Sequence, residues 1–215
     1  MMAPAQVASM GDGNAASMAM NGTGFARLVE PVLLNAARGG DRAAQGQLYQ
    51  RFADAMYRLA LRTLGCAAEA EEVVHDAFLA ALKGLAGFRG DAPFGLWLRK
   101  ITAREAVRRV RQAPPRAEGI DAALELRAEA SLSAELYELE RALARLPQLS
   151  RTVLWLHLVE GYGHGDIAGL FGKSESFSKS QVARSLTRLR ELMHVAPIPD
   201  RPSRAGAVTA QEDRT

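Results

Sequence analysis

The sequence predicts an all-α protein: two small helical domains joined by a flexible linker, the second carrying a helix-turn-helix. Three observations predict it. Ala, Leu and Arg are the commonest residues, whereas Ile, Thr and aromatic residues are sparse, a balance that favours helices. Apolar residues recur at helical spacing between Gly and Pro breakers. From Ala113 to Glu140 acids outnumber bases by seven to two, and this Ala-, Glu- and Pro-rich stretch separates two periodic halves.

The elements follow in order. Residues 1–24 are rich in Met, Ala, Gly and Ser. They lack the basic start and apolar core of a signal peptide and are expected to form a disordered tail. The first domain is expected over 25–112. Leu33, Leu34 and Ala37 lead to the breaker Gly39-Gly40. Asp41 is placed to cap a helix bearing Leu48, Phe52, Met56, Leu59 and Leu61, which Gly65 stops. A third helix is expected from about Glu69 to Leu85, with acids in its first turn where the helix dipole favours them. A loop with Gly87 and Gly90–Pro93 precedes a basic helix that Pro114-Pro115 ends. Residues 113–134 are the linker. The second domain, 135–194, begins with "ELYELERALARL", closed by Pro147, and continues through "LSRTVLWLHLVEG". A short helix from Asp166 to Phe171, a turn at Gly172 and a longer basic helix from about Ser176 make the helix-turn-helix pattern. A second disordered tail is expected over 195–215.

Several function classes drop out. Cys66 is the single cysteine, so no internal disulfide can form, and it is expected to be a buried small hydrophobe. His75, His157, His164 and His194 show no metal-ligand spacing. There is no nucleophile–base pair and no nucleotide loop; GDG at 11–13 lacks the strand and helix a phosphate loop needs. An enzyme, a metal site and a bound cofactor are therefore not expected. No apolar run is long enough to span a membrane, and a cytoplasmic protein is expected.

The formal net charge is only +3, but the basic residues are concentrated, and local excess governs nucleic-acid binding. The stretch "FRGDAPFGLWLRKITAREAVRRVRQ" sets an aromatic loop before an arginine-loaded helix. At 100° per residue, Trp97, Lys100, Arg104, Arg108 and Arg111 share one arc. Leu96, Ala103, Ala106, Val107 and Val110 gather on another, which suits the core. A basic stripe with an aromatic at its leading end fits a strand backbone beside unpaired bases; Phe88 and Phe94 either line that pocket or plug the core, and Trp97 too is open to a plain core reading. In the last helix, Val182, Leu186 and Leu189 form the core side. Ser176, Phe177, Ser180, Gln181, Arg184, Thr187 and Arg188 form a short, polar and basic face suited to base edges and phosphates in a major groove. These patterns leave open a helix-turn-helix regulator that acts without polymerase, and a helical adaptor whose basic stripes meet acidic proteins.

Three segments, in order, resemble the extracytoplasmic-function sigma factors of bacterial RNA polymerase. "AEAEEVVHDAFLAAL" is similar to that family's polymerase-binding helix, "FRGDAPFGLWLRKI" to its FRGDSSFRTWLYRI segment, and "LARLPQLSRTVLWLHLVEGYGHGDIAGLFGKSESFSKSQVARSLTRLREL" to its carboxy-terminal domain. The resemblance implies that Glu72, Val74, His75 and Asp76 serve core polymerase. It implies that Phe88, Phe94, Trp97, Lys100, Arg104, Arg108 and Arg111 melt and capture the minus-10 element. It assigns Ser176, Phe177, Lys179, Ser180, Gln181, Arg184 and Arg188 to the minus-35 element. The implied partners are core RNA polymerase, promoter DNA and an anti-sigma factor. The chain departs from the family's pattern at His75, Arg104, Arg108, Phe177-Ser178 and Gly163–Gly165. Several of these positions read bases, so promoter preference is where it should differ.

Overall fold

A computed structural model describes residues 24–112 and 134–193. The two expected tails and the linker therefore lie outside the described residues, apart from Gly24 and Ala134. The described residues form helices and no strand: α1 (Pro31–Arg38), α2 (Arg42–Leu64), α3 (Ala67–Gly84), a 3-10 turn (Leu85–Gly87), α4 (Phe94–Gln112), α5 (Ala134–Ala144), α6 (Gln148–Leu158), α7 (His164–Phe171) and α8 (Glu175–Leu192).

Local chemistry sets the boundaries. Asp41 caps α2, its Oδ1 accepting from the backbone N–H of Ala43 and Ala44 at 2.8 and 3.2 Å, which satisfies two of the free donors of the first turn. Gly65 ends α2 with φ +73°, and Gly172 ends α7 with φ +63°; both take the left-handed conformation that glycine tolerates best. Cys66 stands at the N-cap position of α3 and is only partly buried, because a cap residue faces the helix end and not the core.

In the first domain α2, α3 and α4 pack around Leu48, Phe52, Met56, Leu59, Val73, Leu98 and Val107, each almost completely buried. Each such side chain contributes about 1.5–3 kcal/mol by leaving water. The segment before α1 closes the bundle: Phe25 is fully buried, and its carbonyl comes so close to α4 that a methyl at Gly95 would sit 1.9 Å from it. In the second domain α6, α7 and α8 bury Val153, Leu154, Leu156, Ile167, Phe171 and Val182.

The halves expected as separate modules are docked, and their apolar residues form one continuous core. The polar contacts across the junction are specific. The last carbonyls of α2 have no partner within their own helix. Side chains of α6 supply one: Thr152 Oγ1 donates to the Thr63 carbonyl at 3.1 Å, and Gln148 Nε2 and Arg151 Nη2 donate to that of Leu64 at 3.2 and 2.9 Å. Arg151 also sets a cation at the negative end of the α2 dipole. Arg62 of α2 pairs with Glu140 of α5 at 2.6 Å and lies over the Trp155 ring, 5.5 Å from its centroid.

Candidate nucleic-acid interface

Aromatic residues in the first turn of α4 and in the loop before it build a cluster, not a free loop. The Phe88, Phe94 and Trp97 rings lie 5.1–5.7 Å apart, and Phe94 reaches Phe52 in the core at 5.6 Å. Phe94 is itself buried; it anchors the loop and presents no face to a ligand. Phe88 and Trp97 are half-buried. Arg38 fixes the loop from the other side, donating from Nε to the Leu85 carbonyl at 3.3 Å and from Nη2 to that of Phe88 at 2.8 Å. Between loop and helix lies a cavity of ≈ 490 Å³, walled by Phe88, Arg89, Leu96, Trp97, Arg99 and Lys100. Leu96 thus lines this cavity, where a core position was expected.

Along α4 the expected stripe is present. Lys100, Arg104, Arg108 and Arg111 are exposed, while Ala103, Ala106, Val107 and Val110 face inward. Arg108 is not a free cation: it meets Glu105 at 2.8 Å and Asp76 at 3.5 Å. Its neighbour Arg109, which the helical wheel left off the stripe, binds Asp76 at 2.9 Å and also Glu72. Those two carboxylates hold the Arg109 proton more firmly than usual, chiefly through the hydrogen bond that Arg109 donates to Glu72. One charge network therefore joins the acidic face of α3 to the basic end of α4. On α3, Glu72 and His75 are exposed and Asp76 half-exposed, so they share an accessible surface; Val74 is buried and can only support it.

Arg99 was not a candidate, yet it is the most constrained cation of α4. It is buried, donates from Nη1 to the Glu160 carbonyl at 2.6 Å, lies 3.9 Å from the Glu160 carboxylate, and stacks over Tyr162 at 5.0 Å. Burial raises the Glu160 pKa above its ordinary value against the opposing charge of Arg99, and pushes the Tyr162 hydroxyl up to about 12. No local pattern signals this: Glu160 is 61 residues away.

The helix-turn-helix is α7, the Gly172 turn and α8. Ser176, Lys179, Ser180, Arg184 and Arg188 are exposed along α8. Lys179 pairs with Glu175 at 2.7 Å, Arg188 with Glu191 at 3.1 Å, and Ser176 with Ser174 at 2.8 Å. Gln181 is half-buried and accepts from Ser150 Oγ at 3.2 Å. Phe177 turns inward and meets Phe171 at 5.7 Å; it braces the turn, because an aromatic in the first turn of α8 can fold back over α7. A histidine stack supports the same corner. The His157 and His164 rings are stacked at 4.1 Å, with His157 Nδ1 2.9 Å from the Tyr162 carbonyl and His164 Nδ1 3.0 Å from Ser178 Oγ. Among the described residues no cluster of His, Cys, Asp and Glu could hold a metal, and no helix is long and apolar enough to cross a membrane.

The geometry is matched by family models. Residues 48–114 match Sigma-70 region 2 and residues 136–189 match Sigma-70, region 4, together more than half of the chain. The ECF RNA polymerase sigma factor SigM of Mycobacterium tuberculosis is 33% identical over 165 residues, covering 75% of this chain and 83% of that protein. The RNA polymerase sigma factor NccH of Alcaligenes xylosoxydans xylosoxydans is 31% identical over 182 residues, covering 79% and 97%. In fold, the chain is similar to the sigma factor RpoE of Bartonella quintana, solved in complex with the anti-sigma factor NepR. The TM-score is 0.50 at 22% identity, over 71% of this chain and 98% of that one. Two sigma regions in the expected order, each carrying its own basic helix, settle the family: the chain belongs to the extracytoplasmic-function sigma factors, transcription initiation factors that bind core RNA polymerase and direct it to promoter DNA.

Proposed function

We propose that the two basic faces divide promoter recognition between them. The cavity beside Trp97 receives an unpaired base of the minus-10 element, with Phe88 at its wall and Phe94 holding the loop from within. Lys100, Arg104 and Arg111 follow the strand backbone, and Arg108 joins them when it leaves Asp76. On α8, Ser180 and Arg184 read the minus-35 element, while Ser176, Lys179 and Arg188 meet phosphates. Gln181 and Phe177 act from behind, holding the helix. Glu72, His75 and Asp76 face core polymerase. An anti-sigma factor is the further partner we infer, the class of protein with which the Bartonella RpoE was solved.

The cavity carries this reading. At ≈ 490 Å³, with an indole and an ammonium in its wall, it offers a stacking surface and a charge at one place. The test is initiation with purified core polymerase on a duplex promoter and on the same promoter with a pre-opened bubble. Trp97→Ala is expected to lose about ten- to a hundredfold on the duplex, since base stacking is worth roughly 1–3 kcal/mol, and far less on the bubble. Equal losses on both templates would assign Trp97 to stability alone.

A further inference from the structure

We infer that Arg99 is a further contact for the single strand, and that in the docked chain the second domain occupies it in the strand's place. The inference rests on the proposed minus-10 cavity. Arg99 belongs to the wall of that cavity, between Trp97 and Lys100. Its guanidinium is taken up by one turn of the second domain: the Glu160 carbonyl at 2.6 Å, the Glu160 carboxylate at 3.9 Å and the Tyr162 ring at 5.0 Å. The turn offers Arg99 a hydrogen-bonding oxygen, a carboxylate charge close behind it and an aromatic face; a nucleotide offers an oxygen, a phosphodiester charge and a base, the groups a guanidinium recognises. The turn therefore imitates the ligand.

Two further observations make the contact exclusive and reversible. The helix-turn-helix sits against the far end of the same stripe: a side-chain carbon at Gly172 would lie 3.9 Å from Arg111 Nη2. Docking thus brings the minus-35 reader onto the minus-10 stripe, an arrangement that cannot meet two separate elements of one duplex. The buried cluster is also incompletely satisfied. Arg99 Nε, Glu160 Oε2 and the Tyr162 hydroxyl have no hydrogen-bond partner among the described residues. Such atoms regain partners when the domains separate, which offsets part of the cost of opening.

Arg62 and Glu140 provide the handle, because their pair spans the junction and neither belongs to a proposed DNA face. Arg62→Glu sets two carboxylates together and is expected to part the domains; Arg62→Glu with Glu140→Arg restores the pair and the closure. Interdomain distance is read by fluorescence transfer between dyes on α3 and α8, and affinity by anisotropy of a labelled mixed-sequence single-stranded oligonucleotide. Arg62→Glu should lengthen the distance and tighten binding about fivefold or more, the range of ordinary couplings between sites. The charge swap should reverse both. Arg99→Ala in the Arg62→Glu chain should remove the gain. Circular dichroism and the swap guard against a misfolded single variant. A distance unchanged by Arg62→Glu, a longer distance without tighter binding, or a gain that survives Arg99→Ala would each overturn the inference. Trp97→Ala in the open chain tests the cavity separately: a gain that depends on Arg99 but not on Trp97 leaves the latch standing and sinks the base-stacking role.

Discussion

At Gly95 one hydrogen atom decides the packing of a whole segment. The Phe25 carbonyl and the Phe52 ring occupy the space of a side chain, at 1.9 and 2.8 Å from where a Cβ would lie. A backbone carbonyl cannot swing aside as a flexible side chain can. Gly95→Ala is therefore expected to destabilise the first domain by about 1–3 kcal/mol, the usual cost of overpacking, read as a lower urea midpoint at unchanged slope. His164 gives a second residue-scale expectation. Burial, then the charges of His157 and Lys179, hold its pKa below the ordinary 6.5. The unfolded chain takes the proton more readily, so stability is complete above about pH 6.5 and declines as the pH falls through that range. In His164→Asn the fall in melting temperature between pH 7.5 and 5.5 should be shallower than in the wild type. Parallel curves would remove His164 from the pH response.

At the scale of elements, α3 and α4 are bound by the network of Glu72 and Asp76 with Arg108 and Arg109. Changing Glu72 and Asp76 to Lys should weaken core-polymerase binding, measured by pull-down or anisotropy. It should also free Arg109 beside new cations and cost stability, so the melting temperature must be followed alongside. Undiminished polymerase binding would take these residues out of that interface. On α8, Arg184→Ala should lose about 1–3 kcal/mol of discrimination at one promoter position, whereas Arg188→Ala should weaken all sequences alike. A promoter scan separates the two, and no change with either would remove α8 from base reading. Legibility in the sequence follows the range of the interaction. The Asp41 cap, the stops at Gly65 and Gly172, and the stripe of Lys100, Arg104 and Arg111 each depend on neighbours within a turn or two, so periodicity and breakers reveal them. Phe177 misleads because the wheel ignores where a first-turn side chain can fold back. Phe94 and Val74 carry the right motif but face inward, since a motif records residue type and not direction. Arg99 is invisible because its partner lies in the other domain.

The whole molecule is a pair of domains whose junction contains a buried carboxylate, and this makes the docked form sensitive to pH. Burial raises the Glu160 pKa above its ordinary 4.5; the Arg99 charge and the hydrogen bond from Trp155 Nε1, 3.3 Å away, pull the other way and do not fully compensate. The groups facing it are Arg99 on α4, Trp155 on α6, and Tyr162 in its own turn, with Asp166 of α7 acting on Tyr162. In the open chain the carboxylate is hydrated and titrates near its ordinary value. The docked form therefore binds the proton more readily, and it gains on the open form as the pH falls through the raised value toward 4.5. At neutral pH the buried charge works against docking, in keeping with a latch that must release. The interdomain distance should thus shorten, or its distribution narrow toward the docked value, between pH 7 and 5. Glu160→Gln carries no titrating group and resembles the protonated state. It should hold the docked distance at both pH values and bind the single-stranded oligonucleotide no more tightly than the wild type at pH 7. The lowered pKa of His164 gives a pH response of the opposite sense, so the decisive quantity is the difference between the wild type and Glu160→Gln. If that difference is flat from pH 7 to 5, Glu160 does not set the pH response of the junction.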